Sequence, residues 1–338
     1  MDGNIIRISL YAEKIPGKGE DAAPLCEVYT DHSGLVSVCD GLGGAGSVVY
    51  EDAGGIAHTA AYRASRLTNA VIAAYFSAYK KAPARQSCQS LVDDLKGKLT
   101  TALQEEAARI ETAPSKLRSH LIKRLPTTLA ALHFWEEDAA SRLYRCCAIW
   151  AGDSRGYMLN SSRGLQQLTE DDLKSAGDAL DNLINDSPLS NYINADVDFA
   201  LHHRVISVPL PCVLLVATDG CFGYVPTPIH FEYLLVKHLI ASASTQDWQD
   251  NLMVDLQDRA GDDISLALVA LGWPSFEALK EDFQPRLAGL LQDYIVPFGR
   301  LDEKLARLTQ EKETCAREKE ELRRELWAKY KPTYVYDA

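Results

Sequence analysis

The chain has 338 residues, 46% of them apolar and 24% charged, and 47 acidic against 35 basic residues give a formal net charge of −12. That composition excludes wholesale disorder and argues against a nucleic-acid groove, which needs a surplus of Lys and Arg to neutralise phosphates. No segment approaches the ~20 apolar residues that span a bilayer, and the opening MDGNIIRISLYAEK lacks the basic n-region and apolar core of a signal peptide. None of the eight cysteines falls in a CxxC, and the adjacent Cys146 and Cys147 read as buried free thiols. The expectation is an acidic, cytoplasmic globular protein that binds neither nucleic acid nor membrane.

In chain order, apolar alternation predicts a strand over 5–12, then the Gly- and Pro-rich loop IPGKGEDAAP. A second strand, Gly34–Cys39, ends in Asp40 and a glycine cluster. Ser47 can cap a helical pattern towards Lys81, weakened or bent at Gly54-Gly55. A second helix, about Ser87 to Glu111, lies between Pro83 and Pro114. Strand-like runs follow at Thr127–Trp135, Arg142–Ala151 and Gly156–Leu159. Residues 169–200 are polar, aperiodic and rich in Asp and Asn, a long surface excursion with short helices at most. The chain returns in an apolar strand, Cys212–Thr218, and a helix near His230–Ala241. The next helix is capped by Thr245, carries Asp247 in its first turn and Trp248, Leu252 and Leu256 on one face, and stops at Gly261. Ile264–Leu271 is the last strand.

Strands in runs, helices in pairs and no βαβ alternation disfavour a doubly wound parallel sheet. They predict one domain over 1–272. Beyond Trp273-Pro274 the pattern turns helical. Leu301, Leu305, Leu308, Cys315, Leu322 and Leu326 follow 4-3 spacing with Lys312 and Lys319 on the same seam. That suits an imperfect coiled coil or an amphipathic helix packed on its own domain.

The acids are the most informative feature. Three apolar strands end on an aspartate, in LVSVCD (Asp40), AIWAGD (Asp153) and LLVATD (Asp219), and Asp262 precedes the strand ISLALVAL. One such Asp is ordinary turn chemistry. A set of them at neighbouring strand ends would repel and take up protons unless a cation neutralises it, and the fitting cation is Mg²⁺ or Mn²⁺ with oxygen ligands. Gly41, Gly43 and Gly46 satisfy GxGxxG. The sequence after them stays helical where a dinucleotide-binding unit would return to an acid-ended strand. Thr127 and Thr128 read as part of a buried strand, His202-His203 as no metal site, and Trp150 and Trp248 as core or interface anchors. Arg155 can pair with Asp153 inside the fold.

GEDA (Gly19–Ala22), DGLGG (Asp40–Gly44), TTLA (Thr127–Ala130), GDSRGY (Gly152–Tyr157), TDG (Thr218–Gly220) and GDDIS (Gly261–Ser265) occur in one order across about 5–271. In this set the chain resembles the metal-dependent serine/threonine protein phosphatases of the 2C type, in their bacterial form, with a helical extension over 273–338. The resemblance implies an α+β fold, a four-layer α-β-β-α sandwich of two antiparallel sheets flanked by helix pairs. It implies two Mn²⁺ or Mg²⁺ ions. Asp40 would bridge them, the Gly41 carbonyl would serve the second, and Asp219 and Asp262 would complete the first. Glu20, with Asp21 beside it, would hold metal-bound water or ligate directly, and Asp153 matches an acid that serves a third, weaker metal in many members. The excursion 169–200 falls at the family's variable flap. The implied reaction is in-line attack of a metal-bridging water on phosphoserine or phosphothreonine, without a covalent phospho-enzyme. The implied partners are a phosphorylated protein and a cognate Ser/Thr kinase in signal transduction, with the tail dimerising or docking.

The chain also departs from the family. Pro16 stands where an Arg usually grips the substrate phosphate, and of the nearby Lys14 and Lys18, Lys18 is the expected substitute. Leu42 stands where some members have His, and Asp263, where Asn is common, would sit behind the ligands or cap the strand. These departures keep a second reading open, a catalytically weak domain that binds a phosphorylated partner. A dinucleotide-dependent oxidoreductase rests on the glycines alone.

Overall fold

Ile6, Ile8 and Leu10 are buried while Arg7 and Ser9 face outward, the period-two alternation of a half-buried strand, β1 (Ile6–Ala12). The computed structural model describes residues 5–29, 32–51, 57–79, 88–110, 124–138, 143–175, 177–184 and 187–334. After β1 come β2 (Leu25–Val28), β3 (Gly34–Val38), a hairpin of β4 (Val49–Glu51) and β5 (Ala57–Thr59), and helices α1 (Ala60–Tyr79) and α2 (Cys88–Ile110). Then follow β6 (Leu129–Asp138), β7 (Leu143–Ala151), β8 (Arg155–Asn160), β9 (Gly164–Gln167), the short α3 (Ala179–Ile184) and β10 (His202–Pro209). The last elements are β11 (Cys212–Ala217), α4 (Asp219–Phe222), α5 (Pro228–Ala241), α6 (Thr245–Arg259), β12 (Ile264–Leu271), α7 (Phe276–Leu290) and α8 (Val296–Tyr334).

Two five-stranded sheets result, ordered β1-β12-β11-β8-β9 and β10-β7-β6-β3-β2, with antiparallel pairing throughout. They pack face to face through Val36 and Val38 of β3, Leu132 of β6, Leu214 and Val216 of β11 and Val269 of β12. Leu35 of β3 points the other way, into a second core with Ile72 and Phe76 of α1 and Leu91, Leu95 and Leu99 of α2. Strands buried on both faces read as continuous apolar runs, which is why β3, β7 and β12 stand out in the sequence. On the far side, α5 and α6 cover the β1-to-β9 sheet, with Phe231 of α5 against Tyr157 of β8. This is the expected four-layer α-β-β-α sandwich.

Several local expectations change. The stretch after Ser47 is the β4–β5 hairpin before it is a helix, as the β-branched Val48-Val49 pair followed by Tyr50 favours; Gly54-Gly55 lies outside the described residues, as do Lys81, Pro83, Ser87, Glu111, Pro114 and Arg142. β2, β9 and β10 are short or polar edge elements without the alternation that marks a strand. Thr127 makes isolated bridges to Gly41 and Ile193 ahead of β6. The N-cap of α6 is Ser244, in extended conformation with its Oγ accepting the Asp247 N–H at 3.1 Å, and the helix closes on Ala260 rather than Gly261. Trp248 is buried and donates Nε1–H to the Leu235 carbonyl.

The chain forms two compact units, 1–287 and 288–338. The first includes most of α7, because Trp273, Leu279 and Phe283 are buried and Arg286 forks onto Glu232 of α5 at 2.6 and 2.9 Å. Glu232 also accepts the Leu165 N–H at 3.1 Å, so this 4%-exposed carboxylate ties α5, β9 and α7 together. In the second unit a π-helical turn, Leu291–Ile295, runs into α8, with the Val296 N–H on the Leu291 carbonyl. The adjacent Pro297 has no N–H to continue the α-helical ladder. Among the described residues no helix is long and apolar enough to cross a membrane.

Truncating Arg286 strands the Glu232 charge in a buried site. Arg286→Ala should lower the unfolding free energy by about 2–3 kcal/mol, read as a lower urea midpoint; a loss under about 0.5 kcal/mol would show a solvent-screened pair instead.

Candidate metal centre

β3 and β7 belong to one sheet, and β11 and β12 to the other. Asp40 follows β3, Asp153 sits in the turn between β7 and β8, Asp219 opens α4 after β11, and Asp262 and Asp263 lead into β12. Both sheets therefore deliver carboxylates to the same end of the sandwich. The β7–β8 turn crosses between sheets at Gly152, whose φ of +100 is closed to most side chains and whose absent Cβ would meet Thr128 at 2.7 Å. The glycines after Asp40 serve the same centre: a Cβ at Gly43 would lie 1.8 Å from Oε2 of Glu20. The flexible end of that acid occupies the space a side chain at Gly43 would take.

The acids act on one another. Asp21 is 2% exposed, accepts Thr218 Oγ1–H at 2.8 Å and is hydrogen-bonded to Asp40. Burial first, then the charges of Asp21 and Asp219 on Asp40 and of Asp263 and Asp219 on Asp21, pushes both well above the usual carboxylate range. Burial, followed by the charges of Asp153 and Asp262, raises Asp219 to about 7. Burial, followed by Asp171, raises Asp153 to about 6. Glu20 and Asp262 are also raised, mainly by burial. Arg155 is near Asp153 and Asp219, but its fork grips Asp171 at 2.9 and 2.6 Å and its guanidinium lies over Phe222. The pairing of Arg155 with Asp153 allowed by the sequence is thus replaced by a buried Arg155–Asp171 pair.

A scaffold holds Asp40 and the Glu20–Asp21 loop. The Asp40 N–H donates to Thr128 Oγ1 at 3.2 Å, while its carbonyl accepts Thr127 Oγ1–H at 2.6 Å and the Thr128 N–H at 2.8 Å. Thr128 Oγ1 also meets Ser154 Oγ at 2.6 Å. The two threonines, which read as mere strand, position the first aspartate. Asp263 accepts the N–H groups of Lys14, Glu20 and Asp21 at 2.7, 2.5 and 3.3 Å, seating the loop that carries Glu20 and Asp21. Glu20 Oε1 accepts Thr59 Oγ1–H at 2.6 Å. Arg66 of α1 steadies the same loop, donating to the Glu20 and Gly19 carbonyls at 3.3 and 3.4 Å and to Tyr11 Oη at 3.0 Å. Nothing local in the alanine-rich helix sequence marks that arginine. Lys18 is exposed; Lys14 donates Nζ–H to the Ala260 carbonyl, and its charge favours ionised Asp262.

The flap joins this centre at its root. Asp171 accepts from Arg155, from Gln167 Nε2 at 3.0 Å and from Asn182 Nδ2 of α3 at 2.8 Å. Asp172 accepts the Gly152 N–H at 2.9 Å and Asn191 Nδ2–H at 2.6 Å, and meets His202 Nε2 at 3.1 Å. His202 thus serves a hydrogen-bonded pair. A cavity of ≈ 410 Å³ has Asp153, Asp219 and Asp262 on one wall and Leu183, Ile184 and Tyr224 among its other lining residues.

The donors available are carboxylate oxygens and the Gly41 carbonyl, a set that suits Mg²⁺ or Mn²⁺. Cys39 and Cys221 adjoin the acids, and burial pushes their thiols far up. Among the described residues no three His, Cys, Asp or Glu side chains close on a common point as a metal-filled site does; Asp153, Asp219 and Asp262 line one pocket, and Asp21 and Asp40 are hydrogen-bonded to each other. By donor chemistry they fit divalent ions.

No family profile and no curated protein matches the sequence. Solved structures do match the fold. The serine/threonine phosphatase Stp1 from Staphylococcus aureus superposes with a TM-score of 0.57 at 17% identity, covering 81% of this chain and 96% of its own. PppA, a regulatory component of T6SS in Pseudomonas aeruginosa, gives 0.53 at 17%, covering 79% and 97%. The catalytic domain of the serine/threonine phosphatase PstP, in complex with two manganese ions, gives 0.50 at 16%, covering 79% and 97%. At such identities the likeness is one of fold.

Each raised carboxylate binds in the folded state a proton that the unfolded chain releases near 3.8. The share of metal-free stability contributed by Asp153 and Asp219 should therefore be full below about 4 and be lost as pH rises through about 6 to 7. Thermal melting in EDTA should show this slope, and Mn²⁺ should reverse it, raising Tm more at neutral than at acid pH. Asp219→Asn should flatten the slope and raise the metal-free Tm at neutral pH; an unchanged slope would remove Asp219 from the cluster.

Proposed function

We propose that this chain is a Mg²⁺- or Mn²⁺-dependent hydrolase of phosphoserine and phosphothreonine in proteins. The observation that carries the reading is the meeting of buried carboxylates from both sheets around a pocket whose arginine is spent on Asp171. The fold, shared with bacterial serine/threonine phosphatases, supports it. Asp40, Asp219 and Asp262 with the Gly41 carbonyl would hold two cations, flanked by Glu20 and Asp21, and Asp153 would serve a third. Such cations lower the pKa of water to make it a nucleophile and neutralise phosphoryl charge.

The chain's own residues do the positioning. Thr127, Thr128 and Ser154 fix Asp40, Asp263 seats Glu20 and Asp21, and the Arg155–Asp171 pair sets the flap beside the cavity. For the substrate phosphate, Lys18 remains a candidate and Lys14, whose charge reaches Asp262, joins it. A phosphorylated protein and a cognate kinase are the partners in this reading. All eight cysteines are free thiols, which supports a reducing cytoplasmic setting.

Phosphate release from a phosphoserine peptide should require Mn²⁺ or Mg²⁺, stop with EDTA and fall at least about 10²-fold in Asp219→Ala, the loss of several kcal/mol of charge stabilisation. Circular dichroism of the variant should be unchanged. Tight peptide binding with no turnover in either metal would favour the binding module and overturn the enzyme.

A further inference from the structure

α8 has 39 residues, none of them buried, and is about 58 Å long. Its apolar seam is open: Leu301 and Leu305 are 62% exposed, Leu322 and Leu326 54% and Leu308 46%. An uncovered leucine seam of about four heptads is the substrate of helix pairing, and the charges along it say which partner fits. With Leu301 at position d, positions a hold Leu305, Lys312, Lys319 and Leu326, and positions d hold Leu308, Cys315 and Leu322.

A parallel pair of identical helices stacks each a position on itself, setting Lys312 against Lys312 and Lys319 against Lys319. Two like-charge layers in one short seam oppose that arrangement. An antiparallel pair sets a against d. Leu305 then meets Leu322 and Leu301 meets Leu326, each twice by symmetry, while Lys312 meets Cys315 and the Lys319 stem lies along Leu308 with its ammonium reaching water. The flanking positions agree with this direction. Lys304 faces Glu325 and Asp302 faces Arg323, again twice each. Glu311 faces Glu318 near the middle, where Lys312 and Lys319 neighbour them on the seam and offset the repulsion. Arg323, which bridges Glu320 of its own helix at 2.9 Å, remains 76% exposed and available.

We infer that α8 is a homodimerisation element that pairs with α8 of a second copy of this chain as an antiparallel coiled coil. The leucines cluster at both ends of the seam and the lysines at its centre, so antiparallel pairing joins both leucine ends and separates the cations.

Sedimentation equilibrium of the full chain should show a mass rising with concentration from 37.3 kDa towards twice that value. Leu305→Asp with Leu322→Asp should return it to 37.3 kDa with helical content in the rest of the chain retained. Orientation is read by oxidation in a Cys315→Ser parent, itself not cross-linked. Leu301→Cys should give no disulfide-linked dimer, and Leu301→Cys with Leu326→Cys should give one. A monomer at every concentration overturns the inference, as the seam then serves its own chain or another protein. Cross-linking by Leu301→Cys alone overturns it as well, because only parallel helices bring those positions together.

Discussion

Burying a carboxylate costs several kcal/mol unless something neutralises it, and this fold gathers several at one end of its two sheets. Asp21 and Asp40 lie against each other, Asp219 and Asp153 beside them, and Glu20 and Asp262 at the edge. Without a divalent ion the only remedy is protonation, and the raised values of Asp153 and Asp219 record it. Much else in the domain follows from holding that arrangement. Thr127 and Thr128 clasp the Asp40 backbone from both sides, and Asp263 gathers three backbone N–H groups to keep the Glu20–Asp21 loop in place. Arg155 is kept from collapsing onto the acids by a better partner in the flap.

Much of this is legible in the sequence, for identifiable reasons. Strands covered on both faces appear as unbroken apolar runs, and an Asp-Gly or Asp-Ser at the end of such a run marks where the chain leaves the sheet. The seven carboxylates and the glycine that the sequence singles out lie at one end of the sandwich or in the loops that serve it. Legibility fails where a contact comes from far away. The Asp171 partner of Arg155 is hidden in an aperiodic stretch, and Arg66 looks like any helical arginine until the Gly19–Glu20 carbonyls arrive beside it. The β4–β5 hairpin is missed because the Ala-rich helix behind it dominates the local pattern, and β10 because an edge strand can afford His202, His203 and Arg204.

The two compact units answer to different physics. In 1–287, stability comes from two apolar cores and a few buried ion pairs such as Arg286–Glu232. In 288–338, a helix with no buried residue has only its own backbone and surface pairs, among them Arg323–Glu320 and Arg324–Glu320. The apolar seam of such a helix contributes little until something covers it.

Asp171 and Asp172 are consecutive, and the Leu173 N–H folds back onto the Asp171 carbonyl at 3.0 Å, a tight turn centred on Asp172. One reaches Arg155 and α3, the other Gly152, Asn191 and His202. The dipeptide thus works as a rivet through the flap root, and the charges of both acids reach Asp153. Beyond the rivet, Asn182, Asn191 and Ile193 are themselves tied back to Asp171, Asp172 and Thr127, so the freedom to vary lies at the exposed positions among them. A fold fastened in this way can acquire new preferences by rewriting the exposed Leu180 and Ile184 while the chemistry behind them stays untouched.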